Sequence, residues 1–171
     1  MSLLQRLFKS GPDPREALRP LWHRVVELSR EPEFYRDSGV ADTVAGRFDM
    51  IAAILVLVML RLERDGLAQK TALLTELFVA DMDAQLRETG VGDIVVGKHM
   101  GKLMSALGGR LGAYREALAS DAPGPFEAAL ERNVTLAEGS NGRALAQRLR
   151  AFAHQLGVLP ADEVLAGRIS L

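Results

Sequence analysis

The sequence predicts an all-α protein, a single compact multi-helix domain of about seven helices around a central buried apolar helix. Three observations carry that prediction. Every residue from Met50 to Leu60 is apolar, about three helical turns with no polar face, so this helix must be surrounded by others. Elsewhere apolar residues recur three and four apart between breaks containing Gly or Pro, which is the helical period. No stretch alternates over the length of a strand, and there is no internal repeat or low-complexity tract.

A chain of 171 residues fits one domain with a sizeable core. Residues 1–12 read as an N-terminal segment and 13–171 as the single domain. A net charge of -1 removes any global argument for nucleic acid as a specific partner. The absence of cysteine excludes disulfides and thiolate chemistry. The opening MSLLQRLFKSGPDP lacks the apolar stretch and small-residue cleavage site of a signal peptide, so the protein is expected to stay in the cytoplasm.

Ser2–Lys9 has Leu3, Leu4, Leu7 and Phe8 on one side and Arg6 and Lys9 on the other. It is too short to be a stable helix alone and is expected to fray or fold back; the alternative is docking on a membrane surface or a partner. Asp13-Pro14-Arg15-Glu16 is a helix-start signal, with an acidic cap, Pro at the first position and Glu at the third. Leu18, Leu21, Val25 and Leu28 follow at helical spacing, Pro20 either kinks or restarts the helix, and Glu31-Pro32 ends it. In the connector 33–39 the adjacent rings of Phe34 and Tyr35 cannot both face the same way, so one is expected buried and the other partly exposed. The exposed ring is either a recognition anchor or a pin holding the loop to the core.

Asp42-Thr43 can cap the central helix and Asp65-Gly66 can end it. Its eleven-residue apolar run has Arg47 and Asp49 before it and Arg61, Glu63 and Arg64 after it. A membrane span needs roughly 20 apolar residues, so a core helix is the reading.

The next helix runs to about Glu88, with Leu74, Phe78 and Met82 as its stripe and Asp83 and Arg87 as an i,i+4 pair. Asp81, at the edge of that stripe, is expected to need a cationic partner. Thr89-Gly90-Val91-Gly92 is a break, and Asp93 a cap for a helix to about Ala119. This helix has one apolar stripe (Val96, Met100, Leu103, Leu107, Leu111, Tyr114, Leu118) and one small-residue stripe (Gly97, Gly101, Ser105, Gly108, Gly112). The small stripe is expected to receive the central helix at close approach; the alternative is a groove for a visiting helix. A further face carries His99, Lys102 and Arg110, with Lys98 beside it. It reads as a solvated basic face, as the counterpart of Asp81, or as an electrostatic contact for a partner. After Ala122-Pro123-Gly124-Pro125 come a helix with Phe126, Leu130, Val134 and Ala137, ending at Gly139, and another with Leu145, Leu149, Phe152 and Leu156, ending at Gly157. One short helix fits beyond Pro160.

Motifs for chemistry fail. Gly92–Lys98 fits GxxxxGK, but His99 stands where a hydroxyl should hold magnesium, and the segment follows a helix rather than a strand. His23, His99 and His154 have no metal-ligand spacing. Asp81 and Asp83, two apart on a helix, point away from each other. No nucleophile elbow or zincin motif is present, and the expectation is a protein without catalytic residues, cofactor or metal.

Three segments carry a resemblance: Glu33-Phe34-Tyr35 with GVADTVAGRFDM; FVADMDAQLRETGVGDIVVGKHMGKLM, Phe78 to Met104; and GRLGAYREAL, Gly109 to Leu118. Together the chain resembles the ubiquinol–cytochrome c chaperone family, assembly factors for the cytochrome bc1 complex, in its bacterial branch. The resemblance covers Trp22 to Ala119 and offers no motif beyond Pro123. It implies a non-enzymatic assembly factor holding newly made cytochrome b or another subunit of that complex. The expected place of work is the cytoplasm, with a peripheral position at the inner face of the membrane and transient contact to that surface as further expectations. On physical grounds Phe34, Tyr35, Asp81, Lys98, His99, Lys102 and Arg110 are the candidate partner contacts. The alternatives are a helical carrier of a hydrophobic small molecule such as haem or quinone, and an enzyme of unrecognised type.

Overall fold

The computed structural model describes residues 13–88 and 93–171, without the side chains of residues 86 and 93–99. Ser2–Lys9, the break Thr89–Gly92 and the cap expected of Asp93 lie outside the described residues. Among the described residues the protein is all-α. A 3₁₀ turn at Glu16–Leu18 is followed by α1 (Arg19–Leu28), α2 (Pro32–Arg36), α3 (Val44–Arg64) and α4 (Ala68–Glu88). Then come α5 (Asp93–Leu118), α6 (Pro123–Asn133), α7 (Arg143–Val158) and α8 (Ala161–Leu165).

The helix expected to start at Asp13 starts later. The Asp13 carboxylate accepts from the backbone N–H of Arg15 at 2.9 Å and from its guanidinium at 2.7 Å. Its backbone carbonyl accepts from Glu16 at 3.0 Å, which closes a tight turn instead of an α-helix. The guanidinium of Arg15, hydrogen-bonded to it, holds the Asp13 carboxyl down to about 2. Pro20 falls in the first turn of α1, where a missing N–H leaves no bond unmade, so it restarts the helix without kinking it.

α3 is the centre. The Thr43 side chain caps it by accepting from the Gly46 N–H at 3.1 Å. Gly46 is required there, because a Cβ would stand 2.0 Å from the Ala41 carbonyl oxygen. Met50–Met59 are all buried, and α3 packs against α1, α4, α5 and α7. Each large aliphatic side chain so buried contributes about 1.5–3 kcal/mol, which makes this run the main apolar term in the fold. As expected, α4 buries Leu74, Phe78 and Met82, and Asp83 pairs with Arg87 at 2.7 Å.

Phe34 and Tyr35 divide as predicted. The Phe34 ring is fully buried, with the Arg148 guanidinium 5.6 Å from its centroid. Tyr35 is half-buried and its hydroxyl donates to the Ser29 carbonyl at 2.7 Å.

The helix expected to continue to Gly139 ends at Asn133. Val134 is extended, and 134–137 runs antiparallel to 39–41 through the isolated bridge Val40–Leu136. Ala41 N–H donates to Thr135 O and Ala137 N–H to Gly39 O, each at 2.9 Å. The physical reason is a carboxylate: Asp49 accepts from both the Thr135 N–H (2.9 Å) and the Thr135 hydroxyl (2.7 Å), and draws the chain out of the helical path. α7 then buries Leu145, Leu149, Phe152 and Leu156 and runs one residue past Gly157. No helix among the described residues is long and apolar enough to cross a membrane.

Candidate functional site

Arg110, expected on a solvated face with Lys102, is buried instead. Its guanidinium forms an ion pair with Asp49, itself buried, and donates to the Asn133 carbonyl at 2.9 Å. The Phe48 ring lies 5.9 Å away. The geometry explains the error. Lys102 and Arg110 are eight residues apart, about 80° around a 3.6-residue helix, and that angle carries Arg110 across the boundary of the packed face. Nor does Arg110 answer Asp81. The Asp81 carboxylate accepts from the Trp22 indole N–H at 3.1 Å, so among the described residues its partner is a neutral donor rather than a cation.

The node Asp49–Arg110–Asn133–Thr135 was not legible in the sequence. Asp49 read only as a charge flanking the apolar run, and its partner lies 61 positions away. Arg110 satisfies the carboxylate, Thr135 adds two donors, and a buried ion pair is tolerated when its remaining lone pairs are so occupied.

Gly97 lies outside the described side chains; from Gly101 on, α5 turns its small residues outward. Gly101, Ser105 and Gly108 are exposed, and a Cβ built on Gly101, Gly108 or Gly112 would meet nothing within 4 Å among the described residues. The expectation that this stripe receives the central helix is thus corrected: α3 is met by the face that buries Leu107, Arg110 and Tyr114. Beside the glycines stand exposed Lys102 and Met104, the latter 40% accessible, with Met100 and Leu103 half-buried at their edge. The side chains of Lys98 and His99 lie outside the described residues. Of the other candidate contacts, Tyr35 and Asp81 are partly accessible, whereas Phe34 and Arg110 are interior.

A second feature had no forecast. The C-terminal ends of α3, α5 and α7 converge on an open cleft of about 540 Å³. Leu57, Leu60, Leu118 and Ala153 form its apolar surface, and Arg61, Arg64, Arg115 and Glu63 its polar one. Arg61 is buried, donates to the carbonyls of Leu156 (2.6 Å) and Leu159 (2.7 Å), and pairs with Asp65, whose carboxyl it holds below the usual range. Arg64 donates to the Gly157 carbonyl at 2.7 Å, and Arg115 pairs with Glu63 at 2.5 Å. No cleft residue is His, Met, Tyr or Cys, so none offers an axial ligand to a haem iron. Among the described residues no group of three or more His, Asp or Glu could hold a metal ion.

The sequence matches the ubiquinol-cytochrome C chaperone family over residues 36–171. The chain belongs to that family. It is also similar to the crystal structure of the Cbp3 homolog from Brucella abortus, at 29% identity and a TM-score of 0.75, covering 99% of this chain and 96% of that one. Among curated proteins none matches. The match takes in α6–α8, where the sequence offered no family motif, so the chaperone-family unit includes the C-terminal helices. Within this member the resembling segments largely hold one another. Asp49 of GRFDM meets Arg110 of GRLGAYREAL, and FVADMD contributes Phe78 and Asp81 to the contact with Trp22.

Proposed function

We propose that the protein is a non-enzymatic assembly factor for the ubiquinol–cytochrome c reductase (cytochrome bc1) complex, and that its client is newly made cytochrome b. The observation that carries this reading is the family match over residues 36–171, supported by likeness to the Cbp3 homolog along nearly the whole chain. A chaperone for a membrane-protein segment needs a surface on which an apolar helix can rest without being locked in place, with charge at its margin to orient it. The outward face of α5 has that character. Its glycines let a helix backbone approach closely, Met104 gives a polarizable contact that adapts to different side chains, and Lys102 supplies the charge. Lys98 and His99 precede this face in sequence and belong to the same proposed surface, with Asp81 and Tyr35 as outlying contacts. Phe34 and Arg110 serve it from inside, by fixing α2 and the rotation of α5. The working place in this reading is the cytoplasm at the inner face of the membrane, in transient contact with that surface.

The test is capture. A tagged protein purified from cells making cytochrome b is expected to bring that subunit with it. Lys102→Glu combined with Met104→Asp is expected to cut recovery several-fold, more at low salt than at high, because exposed charges are screened over about 10 Å at 0.1 M. The melting temperature should stay unchanged. Wild-type protein that never recovers cytochrome b overturns the client. Undiminished recovery by the double variant overturns the surface and leaves the family assignment standing.

A further inference from the structure

The geometry points to the cleft between the ends of α3, α5 and α7 as a binding site for a single-chain acidic amphiphile, an apolar tail carrying a carboxylate or phosphate head. This proposal does not depend on the chaperone reading. Its volume of about 540 Å³ lies in the range of small-molecule sites. Leu57, Leu60, Leu118 and Ala153 give the tail an apolar bed, while Arg64 and Arg115 stand at the rim, 58% and 53% exposed.

Helix C-termini repel anions, but here carbonyls at the C-terminal end of α7 are already covered. Arg61 donates to Leu156 and Leu159, and Arg64 to Gly157. An incoming head therefore meets guanidinium groups in front of the carbonyls. Arg61 is matched by Asp65 and Arg115 by Glu63, which leaves Arg64 as the surplus cation, 3.9 Å from the shared Asp65. Glycine at 157 leaves room for this guanidinium: a Cβ there would stand 3.3 Å from Arg64 Nη1, tighter than an ordinary contact. Both rim arginines keep N–H donors beyond those used internally, and a planar guanidinium pairs well with carboxylate or phosphate oxygens. Glu63 competes with the head for Arg115, so it sets the affinity.

The experiment is isothermal titration of the full chain with dodecyl phosphate below its micelle concentration. Inorganic phosphate, dodecyl maltoside and phosphatidylglycerol vesicles are run beside it. Saturable binding of dodecyl phosphate is expected, at least about tenfold tighter than either inorganic phosphate or the neutral maltoside. Arg64→Gln and Arg115→Gln should each weaken it by about tenfold, the loss of one charge-assisted contact. Glu63→Gln should tighten it several-fold. Ala119→Trp, at an exposed position on the cleft wall, should block it without unfolding the protein, and Arg132→Gln on α6 should leave it unchanged. Absence of saturable binding overturns the proposal, as does equal affinity for the maltoside. Binding that survives Ala119→Trp, or that appears only with vesicles, places the contact elsewhere on the surface and overturns it too.

Discussion

Helices α3 and α5 lie against each other and obey opposite rules. From Met50 to Met59 α3 is enclosed on all sides, and even the charged Asp49 and Arg61 beside that run are buried among partners. α5 is packed along one side only and shows solvent a strip of Gly101, Lys102, Ser105 and Gly108. A helix apolar all round needs no orienting device, because any rotation buries the same kind of surface. A helix with large, small and charged stripes must be held at one rotation, and in α5 the buried Arg110 does this by reaching Asp49 and the Asn133 carbonyl.

Breaking the enclosed helix should have the largest effect. Leu57 is 2% exposed, so Leu57→Asp puts an uncompensated charge in the core at a cost of about 3–5 kcal/mol or more. Unfolding or aggregation is expected by circular dichroism and size exclusion; a soluble variant with wild-type melting temperature would contradict the enclosure. Next comes the orienting contact. Arg110→Gln leaves Asp49 without its cation and should cost about 3 kcal/mol, a fall of roughly 6–12 °C in melting temperature for a chain of this size. Lys102→Glu, on the open side, should change stability by less than about 0.5 kcal/mol. Equal effects from the two would erase the distinction between the faces.

The open face itself gives a smaller effect of opposite sign. Gly101→Ala and Gly108→Ala should each stabilise by up to about 1 kcal/mol, since the added methyl meets nothing within 4 Å among the described residues and the helix gains propensity. Gly101→Leu should likewise leave the melting temperature undiminished while lowering client recovery. A further test belongs to Tyr114, fully buried, with a hydroxyl that has no hydrogen-bond partner among the described residues. Tyr114→Phe should change stability near neutral pH by less than about 1 kcal/mol. Burial pushes the Tyr114 phenol well above its ordinary value. An unfolded tyrosine ionises near pH 10, so this stabilisation is present below about pH 10 and lost as pH rises beyond it. Tyr114→Phe should flatten the alkaline fall in melting temperature, leaving the smaller part due to half-buried Tyr35, whose phenol burial also raises.

What was legible followed from local pattern. The Met50–Leu60 run declared α3, Thr43 its cap, and the Leu145–Leu156 spacing α7. What was not legible depended on contacts distant in sequence. Nothing near Val134 says that Thr135 will bind a carboxylate 86 residues earlier, yet that contact ends α6. The glycines of α5 show that something small is needed, or tolerated, on one face; they do not say whether that face looks in or out. Its direction is set by Arg110, whose side chain a sequence-based reading assigns to solvent because cations usually stand there. The candidate contacts divided for the same reason: Lys102 follows the surface rule, and Arg110 is the exception its partner makes.

The chain has one tryptophan. Trp22 sits at the seam of α1 and α4, with its indole N–H on Asp81 at 3.1 Å and its ring edge-on to Phe78 at 6.1 Å. The protein thus carries its own optical probe of that seam and of no other. While α1 and α4 stay together the emission should be that of a dry indole, at short wavelength. A client resting on the open side of α5 should leave the colour untouched, whereas one that pries α1 from α4 should shift it to the red, in the unlabelled protein and within the time of mixing.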